Sequence, residues 1–174
     1  MAVTNNPNRS ERESLVATCL GVVDFVPGVL SKVHFNRPID TVELTAFAMF
    51  LVTETYTIGK KGIGAARTTL DAFHLDMTNY VANEHFLKAH PDASDQELFS
   101  FHDAFPEFLG ARYAVYRGVI LADMKPNTIF RKSSELLVAH LFAHPLTKQE
   151  QEELLVPLGL AIAHSYSQCL ELFK

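Results

Sequence analysis

The chain has 174 residues, of which 48% are apolar and 20% charged, with Phe at 13 positions, which suits one globular domain and excludes disorder beyond the ends. Fifteen basic residues against 20 acidic ones give a formal charge of −5, so no positive field is available to hold a nucleic-acid backbone. The 2 cysteines, Cys19 and Cys169, are too few and too far apart for a disulfide-dense secreted scaffold and point to buried thiols.

Residues 1–9, MAVTNNPNR, lack the basic and then apolar run of a secretory signal and are expected to form a flexible segment. The apolar stretch after them is interrupted by Asp24, Pro27 and Gly28, and no run reaches the ~18 apolar residues of a spanning helix. A cytoplasmic protein without a membrane partner is expected. Four segments then carry a helix-start signature, a capping oxygen followed three residues later by a carboxylate: Ser10 with Glu13, Asp40 with Glu43, Ser94 with Glu97, and Thr147 with Glu150. With the hydrophobic pattern they predict helices at about 10–25, 40–58, 62–89, 94–123, 128–143 and 147–172. Pro27 with Gly28 is expected to break or bend the first helix, Pro106 to divide the fourth near 105, and Pro157 to kink the last.

No run alternates as a half-buried strand would. The fold class is therefore all-α, a single domain over residues 10–174 built as a bundle of about six helices with proline-kinked long members. Ile63, Ala66, Leu70, Phe73, Met77 and Val81 form the core stripe of the third helix. Residues 46–52 are apolar nearly all round, which belongs in the middle of a bundle, and the short loop between the second and third helices makes them antiparallel neighbours.

Ionisable groups offer two candidate sites. Glu43 and Glu54 lie close to three full turns apart and face one way, while Asp71, His74, Thr78 and His85 share a band on the next helix. An antiparallel hairpin can bring Glu54 near Asp71 and Glu43 near His74, as helical bundles do to hold metals. A di-iron bundle needs two Glu-x-x-His pairs, and this chain has one Asp71-x-x-His74, so the band also reads as the wet margin of an amphipathic helix. The second candidate is the turn Lys60, Lys61, Gly62 and Gly64, whose amides at a helix start suit a small anion. There Gly59 stands where a left-handed helix cap belongs. His140 and His144 have the spacing of a shared zinc, but their place before Pro145 equally suits interaction with a helix carboxyl end. Arg112, Arg117, Lys125, Arg131 and Lys132 gather around one junction where a charged partner can dock. No serine or cysteine sits in a nucleophile arrangement.

Two stretches resemble known families. His90-Pro91-Asp92 followed by Leu98, Phe101, Ala104, Phe105 and Phe108 resembles the tripeptide and succeeding helix of J-domain co-chaperones, although that family has a basic helix before the tripeptide and this chain has Glu84, His85 and Lys88. The stretch from His85 to His90 is similar to the proximal-histidine segment of some globins, with Pro38 upstream, which implies His85 as a haem ligand. The apolar segment at 40–58 departs from that family.

Phe99, Phe101, Phe105, Phe108, Tyr113 and Tyr116 crowd one segment, and the last helix adds Leu158, Leu160, Ile162, Leu170, Leu172 and Phe173. This apolar load suggests a surface completed by another copy, with a symmetric dimer preferred. The expected function is a homo-oligomeric interaction or small-ligand-binding module with no demonstrated catalysis and no cofactor required by the sequence. The rival is a metal- or haem-dependent helical-bundle enzyme or sensor built on Glu43, Glu54, Asp71, His74 and His85.

Overall fold

The computed structural model describes residues 10–33, 35, 37–123, 131–142 and 144–173. Residues 1–9, Lys125 and the expected first turn of the fifth helix lie outside these. Among the described residues six helices follow one another: α1 (Glu11–Lys32), α2 (Thr41–Gly59), α3 (Ile63–Val81), α4 (Asp95–Asp123), α5 (Arg131–His140) and α6 (Lys148–Leu172). Beyond Val81 the backbone of α3 widens into a π turn, Ala82–Phe86, and returns to α-helix for Leu87–Ala89. The described residues form no strand, and an isolated antiparallel bridge joins Ile39 to Phe142.

The start signals act as their chemistry requires. Ser10 and Glu13 close a reciprocal capping box, as do Thr147 and Glu150, and Ser94 pairs with Glu97 in the same way. Asp40 accepts from the Val42 and Glu43 amides, but the Glu43 side chain turns inward instead of reaching back.

Pro106 does not divide its helix, and Pro27 does not break the first. Pro27, Pro106 and Pro157 all lie inside continuous helices, and α1 runs on to Lys32. Each ring removes an amide and costs helix stability, but apolar side chains are buried on both sides of it. Val23, Val26 and Leu30 flank Pro27, Phe105 and Leu109 flank Pro106, and Leu154 and Leu158 flank Pro157. Tertiary burial overrides the local penalty.

Helix α2 occupies the middle of the bundle. It contacts α1, α3, α4 and α6, while α5 packs on α4 and α6. Every residue from Glu43 to Thr53 is buried, so the all-round apolar pattern reports a helix surrounded by others. Ala66, Leu70, Phe73, Met77 and Val81 face the same core, whereas Ile63 at the first turn of α3 is 60% exposed.

Gly59 is a further correction. It lies within α2, and the left-handed residue of the turn is Lys61 at φ 59°, followed by Gly62 at φ 135°. A Cβ at Gly59 would collide with the backbone carbonyl of Phe173. The glycine is required by the close approach of the end of α6.

Candidate functional site

Helix α4 crosses α2 on a bed of aromatic rings, with Tyr116 edge-on to Phe47 and Tyr113 edge-on to Phe50. Polar groups are threaded through this contact. Glu43, 3% exposed, accepts from Arg112 Nε at 2.9 Å and from the Tyr116 hydroxyl. The phenol of Tyr116 is pushed upward in pKa, first by burial and then by its bond to Glu43. Glu54, nearer the other end of α2, takes Arg117.

Between these pairs lies a three-membered polar cluster. His74 Nε2 stands 3.0 Å from the Tyr113 hydroxyl and 3.2 Å from Thr53 Oγ1, and the two hydroxyls are 3.4 Å apart. Burial is the leading effect on His74 and lowers its pKa, opposed by the charge of Asp71 and a hydrogen bond to the Leu70 backbone. Burial thus favours the neutral imidazole, which bonds the Leu70 backbone through one ring nitrogen and leaves Nε2 to accept. The assignment that satisfies all three groups runs from the Thr53 hydroxyl to the Tyr113 oxygen, and from the Tyr113 hydroxyl to Nε2.

His74 and Tyr113 form one wall of a cleft of about 550 Å³ between α3 and α4. Leu75, Pro106, Leu109 and Gly110 make its apolar surfaces, and His102 stands among them. A mostly apolar hollow with a few fixed polar groups is the usual form of a small-molecule site.

The expected five-residue metal band does not come together. Glu43 and Glu54 are engaged by Arg112 and Arg117, Asp71 is 73% exposed on its side chain with Arg67 at 3.9 Å, and His74 is held as above. His85 lies in the π turn, its Nδ1 3.1 Å from Thr41 Oγ1. Its Nε2 is buried without a hydrogen-bond partner among the described residues, and burial lowers its pKa. No group of three or more His, Cys, Asp or Glu side chains among the described residues is placed to share an ion.

At the expected anion turn, Lys60 is paired with Glu11 and lies over the Tyr56 ring, while Lys61, Gly62 and Gly64 are at the surface. His140 closes α5, as a helix-end cation would, and His144 is exposed. The expected basic junction is divided, since Arg112 and Arg117 turn to α2 and Arg131 pairs with Glu135 one turn on. Cys19 and Cys169 are free and buried, and burial raises both thiols, Cys169 to about 12. Thiolate chemistry is suppressed at both.

The chain matches no protein family, no curated protein and no solved structure.

The sequence reading selected His74 and missed Thr53, His102 and Tyr113. One signal was available. Thr53 and Thr55 follow directly on the all-round apolar run 46–52, and a buried hydroxyl in such a place needs a partner. Thr55 finds one in its own helix at Leu51 O, while Thr53 turns to α3 and α4.

Proposed function

We propose that the protein is a small-ligand-binding module whose site is the cleft between α3 and α4. The observation that carries this is the imidazole of His74, hydrogen-bonded to Tyr113 and Thr53, in the wall of a mostly apolar hollow. Fixed polar groups in apolar surroundings supply orientation, while the surrounding surface supplies affinity. Burial that disfavours imidazolium also disfavours other charge at the wall, so the class of ligand supported is a neutral, compact, mainly apolar molecule carrying a hydroxyl. His102 and Tyr113 are polar side chains in the lining that such a hydroxyl can meet.

Phenol is a suitable probe. Titrated into the protein, it should shift the imidazole resonances of His74 and His102 saturably, with a Kd near or below about 1 mM. Gly110 lines the cleft and a Cβ there meets nothing within 4 Å, so Gly110→Leu is the substitution chosen to fill the hollow, with circular dichroism to report that the variant is folded. That variant should lose the phenol response. Unsaturable shifts, or equal binding to Gly110→Leu, would remove the basis for the reading.

A further inference from the structure

Helix α1 has a mean hydropathy of 1.7 over its most apolar 18 residues, yet 33% of that window is buried in the chain. Its outer side runs along α6, and the two helices bound a groove of about 470 Å³. Towards the end of α1 a neighbouring hollow of about 400 Å³ shares Phe25, Val29, Lys32 and His164 with the groove. The apolar surface continues onto Val156 and Leu160, which are 66% and 57% exposed. Length and apolar content would by themselves let α1 cross a bilayer.

Two charges sit on this apolar side. Asp24 and Lys32 line the groove, both are exposed, and neither is in an ion pair with a described residue. Gly28 lies midway between them, in sequence and around the helix. A Cβ at Gly28 meets nothing within 4 Å, and the same holds at Gly21, so no contact inside the chain calls for glycine at either place. Glycine weakens a helix interior and is useful where another backbone must come close.

We propose that this face is the interface of a symmetric dimer in which α1 lies antiparallel on α1 of a second copy, with the two-fold axis passing at Gly28. With Gly28 opposite itself, the residues one turn before and one turn after it meet across the axis. Asp24 then faces the partner's Lys32, and Lys32 faces the partner's Asp24. The surface is complementary to itself, as an isologous contact requires. A parallel arrangement would set Asp24 against its own copy. A bilayer would bury Asp24 and Lys32 in hydrocarbon without partners. The second copy is therefore the occupant that matches the charges, with Phe25, Val29, Val156 and Leu160 as its apolar flanks. This inference does not depend on the cleft between α3 and α4.

Sedimentation equilibrium of the full chain with a charge exchange tests it. The wild-type protein should dimerise below about 100 µM, in the range of an interface of ordinary size. Asp24→Lys and Lys32→Asp should each raise the dissociation constant about tenfold or more, because each sets like charges opposite one another. The double exchange, D24K with K32D, should return it to within about threefold of wild type. Circular dichroism of each variant reports whether it is folded. As a route that leaves the charges intact, Gly28→Cys should give a disulfide-linked dimer under mild oxidation, since two cysteines at a two-fold axis come within bonding range. A wild-type monomer throughout that range would overturn the proposal. So would a double exchange as weak as the single ones, no G28C cross-link, or binding of the protein to phosphatidylcholine vesicles through α1.

Discussion

Glu43 and Glu54 lie on one side of α2, but their surroundings give them different weights. The Glu43 side chain is 4% exposed and its carboxylate serves two donors of α4, whereas Glu54 meets an Arg117 that is 55% exposed. Removing Glu43 orphans the buried hydroxyl of Tyr116 and strips Arg112 of its partner. Glu43→Ala should therefore lower unfolding stability by about 3 kcal/mol, against less than about 1 kcal/mol for Glu54→Ala, as read from urea denaturation. Replacing the whole cluster, E43L with R112M and Y116F, should restore at least half of the loss, because no polar group is then left unpaired. Equal effects of the two alanine variants would contradict the assignment. The helical wheel correctly placed both acids on one side of α2, since that depends on spacing alone. It could not identify their partners, because Arg112, Arg117 and Tyr116 arrive from a helix 63 to 73 residues away in sequence.

At the scale of the helix, local chemistry and tertiary contact compete, and each wins at identifiable places. Starts were legible because a capping oxygen and a carboxylate three residues on solve a problem confined to one turn. That Pro27 and Pro106 leave their helices unbroken was not legible from the chain, since their cost is balanced by apolar contacts that α1 and α4 make with other helices. Gly59 was misread for the same reason. Its sequence context resembles a cap, but its requirement comes from the Phe173 carbonyl at the end of a different helix. Gly59→Ala should then destabilise by about 2 kcal/mol through overpacking between α2 and α6. Gly64→Ala, in the first turn of α3 with nothing within 4 Å of its Cβ, should gain about 0.5 kcal/mol from helix propensity. Thermal unfolding of the pair distinguishes the two origins, and a stabilised Gly59→Ala would show that the close approach of α6 is not a constraint.

Across the whole molecule, the same burial that gives the bundle its core sets its response to acid. The core surrounds α2 on four sides, and His74 and His85, which sequence spacing suggested as ligands, are not grouped with other ligating side chains among the described residues. His74 and His85 both have pKa values lowered from the ordinary 6.5, mainly by burial. Below pH 6.5 the unfolded chain takes up protons that the folded one resists, so stability falls with pH, and the loss accumulates until the native imidazoles also titrate. A second, separate loss begins near pH 4.5, where carboxylates held low in the fold, including Glu150 at about 2 with its Thr147 cap and Arg37, start to be protonated in the unfolded chain. The urea midpoint should accordingly decline between pH 7.5 and 5.5 for the wild type. His74→Asn with His85→Asn should flatten that upper interval and leave the decline at lower pH in place. If the double variant keeps the full slope above pH 5.5, protonation of these two imidazoles is not what acid exploits, and the preference of His74 for the neutral form fails.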